Sequence, residues 1–193
     1  MYYKSEVEGV VRVEPALFKG ELKTAITEQL KKDYEEKVND ILGRVIKIID
    51  VKKIEEGVLI PGDGAAYYRV RFNAIHYVPE VQELIEGEVK DIAKFGAFIE
   101  FGPFEGMVHI SQAMDDFVSV SKSGSLQGKS SKKVLKTGDK VRARIIAVSL
   151  KDPDDPKIGL TMRQPYLGKI NWIEDERNVE EKAARKAAVA AKK

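Results

Sequence analysis

The sequence predicts an α+β unit of order β-α-β-β in roughly its first 80 residues, followed by a strand-rich second half. Two observations carry this prediction. Leu22, Ile26, Leu30, Tyr34 and Val38 recur every four residues, the spacing of one helical face. From Tyr67 to Val78, and again from Phe98 to Ile110, apolar and polar residues alternate, the period of a half-buried strand.

Each element follows in order. Tyr2 to Val13 has β character and stops at Glu14-Pro15. The apolar stripe, joined by Ala25 and Ile41, predicts an amphipathic helix of about five turns that Gly43 ends. Lys23, Glu28, Lys31, Lys32, Glu35 and Glu36 form its polar side. Residues 44–54 are rich in β-branched side chains, Val45-Ile46 and Ile48-Ile49 among them, and read as a strand. Glu55-Glu56-Gly57 and Pro61-Gly62-Asp63-Gly64 are turn signals. Tyr67 to Val78 alternates as a strand and ends at Pro79.

In the second half, Ala97, Ile99 and Phe101 face a core while Phe98 and Glu100 face away. In the next strand Val108 and Ile110 point inward, and Met107 and His109 outward. The outward set holds flat rings beside Lys94, Arg142 and Arg144; both arginines alternate with Val141, Ala143 and Ile145. Aromatics beside basic groups suit single-stranded nucleic acid. A strand aromatic packed under a loop is the alternative for Phe95 or Phe98.

The residues Gly87-Glu88-Val89, Lys94-Phe95-Gly96-Ala97-Phe98-Ile99, Glu105 to Ser111, Thr137 to Val141 and Ile158 to Met162 together resemble the S1 motif, an RNA-binding repeat. The match runs over about 84–163. The resemblance implies a five-stranded OB barrel whose RNA-contact face includes Phe95, Phe98 and His109. Ser149 stands where that family commonly has Asp, and Lys157 where it has Arg, so the implied binding is to single strands without sequence choice. Met1-Tyr2-Tyr3-Lys4, Val10 to Pro15, Pro61 to Gly64 and Arg69 to Ala74 further resemble the E-prime family of archaeal RNA polymerase stalk proteins, counterparts of the seventh subunit of eukaryotic RNA polymerase II. That resemblance covers about 1–173. It implies a truncated ribonucleoprotein-like βαββ domain at 1–80 that docks on the polymerase core, and an S1-type barrel at 81–173 facing nascent RNA. The implied partner is a small helical protein, the F component of the polymerase stalk, with which the chain forms a heterodimer. An S1-domain factor of translation or RNA processing, binding mRNA, is the alternative.

Composition narrows the chemistry. A formal net charge of +2 on 193 residues makes any polyanion footprint local. Six lysines, at 122, 129, 132, 133, 136 and 140, lie between Ser119 and Lys140 against the one acid Asp139. The Ser/Gly-rich stretch 119–136 predicts a mobile loop in which Lys129, Lys132 and Lys133 meet RNA phosphates; a merely solubilising loop is the alternative. The chain has no cysteine, which removes thiol catalysis, disulfides and cysteine-held zinc. There is no apolar run of spanning length and no apolar signal core at Met1 to Glu6, so a cytoplasmic protein without membrane contact is expected.

Gly62-Asp63-Gly64 lacks the third glycine and the following helix of a dinucleotide loop. His76 and His109 fall in different halves and make no zinc site. Asp115-Asp116 fits an ordinary turn better than a cation site. No catalytic residue, metal or cofactor is expected. Val58, Leu59 and Ile60 lead into the 61–64 turn; together these seven residues are the expected core-docking tip, unless Val58 and Ile60 finish the core beneath the helix. The tail 174–193 is charged and Ala/Lys-rich, and reads as a solvated, partly disordered helix.

Overall fold

The computed structural model describes residues 1–121 and 124–178. They form two compact units, Met1–Pro79 with Leu150–Pro156, and Glu80–Ser149 with residues 157–178. The basic tail beyond residue 178 and Lys122 lie outside the described residues.

The first unit is a single sheet covered by one helix. Its elements are β1 (Tyr2–Val13), a 3-10 turn (Pro15–Lys19), α1 (Leu22–Tyr34), β2 (Val38–Asn39), β3 (Gly43–Ile54), β4 (Val58–Leu59) and β5 (Ala66–Tyr77). Strand β5 is central: it pairs antiparallel with β1 from Tyr2↔Tyr77 to Val13↔Ala66, and with β3 from Arg44↔Tyr77 to Ile54↔Val70. Alternation along β5 buries Val70, Phe72 and Ala74 and exposes Arg69 and Arg71. On β3 the register slips at three places, so burial falls on every third residue, Val45, Ile48 and Val51. These bulges put Ile46 and Ile49 outside. Helix α1 lays Ala25, Ile26 and Leu30 onto Val11, Val13, Val45, Ile48, Val70 and Phe72, each large side chain stabilising the fold by about 1.5–3 kcal/mol on burial.

The helix is shorter than its apolar stripe. It stops at Tyr34, and the chain reverses through Glu36 at φ +65°. The Glu36 N–H donates to Val45 O at 2.8 Å and the Lys37 N–H to Tyr34 O at 3.3 Å. Val38 then joins β2, and Ile41 is 84% exposed. Sheet pairing with β3 outcompetes two further helical turns, because continuing the helix would leave that edge of β3 unpaired. Gly43 is not the helix stop. It holds φ +63° where β3 begins, and a Cβ there would lie 2.1 Å from Tyr77 O. His76 is buried nearby, its Nδ1 2.7 Å from Leu42 O and its Nε2 2.9 Å from Ser5 Oγ.

The second unit is the expected closed five-stranded barrel. Strands β6 (Leu84–Ala93), β7 (Gly96–Phe101) and β8 (Phe104–His109) form an antiparallel meander. After them come a 3-10 turn (Ile110–Gln112), then β9 (Val118–Val120), β10 (Leu126–Gly128) and β11 (Val134–Leu135), which make a separate three-stranded sheet. The barrel resumes with β12 (Lys140–Ser149) and β13 (Lys157–Thr161). Strand β12 pairs with β6, β13 pairs with β12, and a parallel pairing of β13 with β8 closes the ring. Val89, Ala97, Ile99, Val108, Val141, Ala143, Ile145 and Leu160 fill it. A short β14 (Gly168–Lys169) adds to β12, and a helix begins at 170. No described helix is long and apolar enough to cross a membrane.

Gly43→Ala is expected to lower stability by about 2 kcal/mol or more, since the left-handed φ and the clash with Tyr77 O act together. Gly64→Ala, whose Cβ meets only Pro15 Cγ at 3.8 Å, is expected to stay within about 0.5 kcal/mol of the parent. Denaturant unfolding of both variants measures the contrast; equal losses would contradict it.

Candidate nucleic-acid interface

Strands β6 and β7 pair to their very ends, Ala93 against Gly96, which leaves Lys94 and Phe95 as a two-residue turn. Phe95 is therefore 51% exposed because it sits on a hairpin tip, not through strand parity. Phe98 does lie on β7, facing outward and half-buried between Asp91 and Met107. The two rings meet edge to face, with centroids 6.0 Å apart. His109 ends β8 directly opposite Gly96. The Ile110 N–H donates to Phe95 O at 2.9 Å, fastening the hairpin tip to the 3-10 turn after His109. The Ser111 N–H donates to His109 Nδ1 at 3.3 Å, and Ser111 Oγ is 2.9 Å from the same nitrogen. With Nδ1 accepting, the ring proton belongs on Nε2, which is then a donor. Ile110 leaves the strand for this turn and is only half-buried. Two flat rings, a histidine donor and the exposed Lys94 thus share one end of the barrel.

The opposite side of that outer face is acidic. Glu88, Glu100 and Glu105 stand in one row across β6, β7 and β8. Lys90, on a bulge, reaches Glu105 at 2.9 Å, and Lys140 pairs in register with Glu88. The two lysines offset the three glutamates only in part, so the row stays net acidic.

The other basic residues expected at the site are dispersed. Arg142 lies opposite Glu86 near the start of β6 and binds its Oε1 through Nε at 3.0 Å and Nη2 at 2.7 Å, whereas Phe98 faces Asp91 near that strand's end. Arg144 is half-buried opposite Thr161, with Nη1 3.3 Å from Gln82 Oε1. Thr161 in turn donates to Gln112 Oε1 at 2.8 Å, so this covered pair stands between Arg144 and the His109 end. Lys157 is two residues along β13 from Gly159, which neighbours Met107, and so lies toward Glu105 rather than His109. Strand alternation made both arginines outward; only the barrel's register decided which outward residues meet.

The insertion is folded rather than a loose loop. Leu126 and Leu135 are fully buried within it. Asp116 organises its base: Oδ2 accepts from the Ser130 and Ser131 N–H groups at 2.7 Å each, and Oδ1 from the Phe117 N–H at 2.6 Å. These donors, Ser131 foremost, hold the Asp116 carboxyl down at about 2. Asp115 pairs with Arg163 at 3.0 Å. The acidic pair is thus a turn anchor and an ion pair. Lys129 and Lys132 are exposed, but Lys133 is engaged: its Nζ is 2.7 Å from Glu176 and 5.4 Å from the Trp172 ring centroid, latching the helix that starts at 170. Arg163 and Trp172 had no distinguishing sequence pattern; their partners lie tens of residues away in the chain.

In the first unit, Val58, Leu59 and Ile60 are 61%, 70% and 47% exposed and do not finish the core beneath α1. Strand β4 pairs only with the end of β5, Val58 with Tyr67 and Leu59 with Ala66. Side-chain bonds brace the turn that follows. Arg12 donates to Asp63 through Nε at 2.9 Å and Nη2 at 2.8 Å, and the Tyr67 hydroxyl donates to Asp63 Oδ2 at 2.6 Å. The Arg12 bonds, then that of Tyr67, hold the Asp63 carboxyl far below the usual carboxylate range, and Asp63 raises both Arg12 and Tyr67. Gly62 takes φ +92°, which the turn requires, while Gly64 has an ordinary backbone. Neither Arg12 nor Tyr67 was read from the sequence as part of this tip; their shared outward parity on paired strands was the available signal.

A family model described as the S1 RNA binding domain matches residues 78–154. Another, described as the SHS2 domain found in the N terminus of Rpb7p/Rpc25p/MJ0397, matches residues 8–64. The chain is 46% identical over 175 residues to DNA-directed RNA polymerase subunit Rpo7 of Saccharolobus solfataricus, covering 90% of this chain and 97% of the relative. It is 42% identical to the protein of the same name in Sulfolobus acidocaldarius, covering 91% and 97%. To DNA-directed RNA polymerase III subunit RPC8 of Bos taurus it is 30% identical, over 56% of this chain and 53% of the relative.

Because the folded Asp116 carboxyl titrates below its ordinary value of 3.8, its contribution to the insertion is complete above that value and is lost as pH falls through about 2. The amide proton shifts of Ser130 and Ser131 should therefore titrate near pH 2 in NMR spectra, and Asp116→Asn should abolish that titration. A midpoint at the ordinary carboxylate value would show that the three bonds are not formed in solution.

Proposed function

The chain belongs to the Rpo7 family of DNA-directed RNA polymerase subunits, and from that premise we propose how its two units divide the work of a stalk protein. The amino-terminal unit docks on the core enzyme through the apolar tip 58–64. The barrel holds nascent single-stranded RNA, the chain pairs with the small helical F component of the stalk, and it contributes no catalytic residue of its own. The complex works in the cytoplasm. A translation or RNA-processing factor is not favoured, because the Rpo7 relatives match over nearly their whole length and across both units.

The observation that carries the RNA assignment is the edge-to-face pair of Phe95, on the β6–β7 hairpin tip, and Phe98, on the outer face of β7, beside His109 in a barrel matched by an RNA-binding family model. Bases stack on such rings without regard to sequence. Lys94 at the hairpin tip, with Lys129 and Lys132 of the insertion, supplies phosphate contacts that carry no sequence information. Arg142, Arg144, Lys133 and Lys157 are secondary: the first is neutralised by Glu86 and the third by Glu176. The docking assignment rests on three consecutive exposed apolar residues ahead of a turn that Arg12, Asp63 and Tyr67 hold in one conformation. Preorganisation of this kind reduces the ordering cost of association.

A Phe95→Ala/Phe98→Ala variant that stays folded is expected to lose roughly tenfold or more in affinity for single-stranded RNA, stacking being worth about 1–3 kcal/mol per base. Fluorescence anisotropy measures this, and unchanged affinity would remove the rings from the interface. Lys129→Ser/Lys132→Ser should flatten the salt dependence of the same binding, whereas Lys133→Ser should leave its slope near that of the parent.

Leu59→Asp is expected to abolish capture of core polymerase in a pull-down while the variant still folds and still binds its helical partner. Capture at the parent level would move the docking surface away from this tip.

A further inference from the structure

An exposed aromatic lies outside the barrel's RNA site. Phe117, at the base of the insertion, is 85% exposed. A single exposed aromatic is ordinary on a protein surface; the backbone beneath this one is not. Its N–H is bound by Asp116 Oδ1 at 2.6 Å, and its carbonyl accepts from the Lys129 N–H at 2.8 Å. Asp116 Oδ2 meanwhile holds the Ser130 and Ser131 amides. The ring is therefore presented on a fixed support, and binding would immobilise only its own two torsions.

Its surroundings choose between kinds of partner. Ser119, Lys129 and Ser130 are exposed around it, and among the described residues of the insertion no other large apolar side chain is. A protein contact calls for a contiguous apolar patch. A lone ring beside a lysine matches a base face and its phosphate.

Position adds direction. The Phe95 turn is bonded to Ile110, the 3-10 turn follows, and β9 packs against that turn. Ile110 and Phe117 are seven residues apart, so at most about 25 Å of chain separates them. Further along β7 from the aromatic end stands the row Glu88, Glu100 and Glu105, which Lys90 and Lys140 offset only in part and which is the less favourable direction for phosphates. A strand stacked on Phe98 is thus directed past His109 and over the 3-10 turn.

We propose that Phe117 is a further stacking platform for single-stranded RNA, reached by a strand that leaves the Phe95–Phe98 pair past His109, with Lys129 on its phosphate. This rests on the barrel being the RNA site. The test uses labelled oligouridylates of roughly 4 and 16 nucleotides, the span of site sizes for single OB folds, with the full chain at fixed salt. Phe117→Ala should weaken the longer oligomer about five-fold or more and leave the shorter one within about two-fold, while Phe117→Trp keeps the affinity of the parent. Phe95→Ala/Phe98→Ala should weaken both lengths. If that double variant loses affinity but Phe117→Ala binds the long oligomer like the parent, the platform is overturned and Phe117 falls to a protein contact. Equal loss of both lengths by Phe117→Ala would overturn the path. No loss by the double variant would overturn the barrel site on which the path depends.

Discussion

The parallel pairing of β13 with β8 is the constraint on which the RNA-facing half depends. It closes a five-stranded sheet on itself, so every barrel strand has a core side and an outer side and no barrel edge is left open. Closure also fixes which outward residues become neighbours. Met107 is set between Phe98 and Gly159, and Thr161 between Arg144 and the His109 end. The chemistry of the outer face is thus a consequence of register, and a slip of one residue would exchange the core and solvent sides.

Charge follows the same geometry. A nearly neutral chain becomes locally polar because acids and bases are paired in some rows and segregated in others. Arg142 with Glu86, Lys90 with Glu105 and Lys133 with Glu176 are exposed pairs of small individual worth. Their effect is to withdraw those cations from the pool available to an anion. Exposed cations outside these pairs include Lys94 at the hairpin tip and Lys129 and Lys132 on the insertion.

Both candidate contact surfaces are built alike. In each, an aspartate ties a turn to neighbouring backbone or side chains and so holds exposed apolar groups in place. Asp63, bonded by Arg12, Tyr67 and the Ala65 amide, supports the turn after Val58, Leu59 and Ile60. Asp116, bonded by three amides, supports Phe117. Both carboxyls are held below the usual carboxylate range by the same cause, several donors converging on one charged group.

The sequence by itself determined the long strands, the helix and their order, because these depend on local period, and its motifs carried the resemblance to the barrel and the family. It placed Ala97, Ile99, Val108 and Val141 inside and Phe98 and His109 outside, and it located the apolar tip. It overran the helix, since the stripe through Val38 and Ile41 carries no record of the β3 edge that draws that segment into a strand. It took the insertion for a loose loop, since Leu126 and Leu135 are too widely spaced to announce a core until two short strands bring them together. Tertiary structure alone decided that Arg142 faces Glu86, that Lys133 is engaged by a helix, and that Arg12 and Tyr67 converge on Asp63. Those pairings join residues tens of positions apart, and side-chain type does not encode which strands the fold will make adjacent.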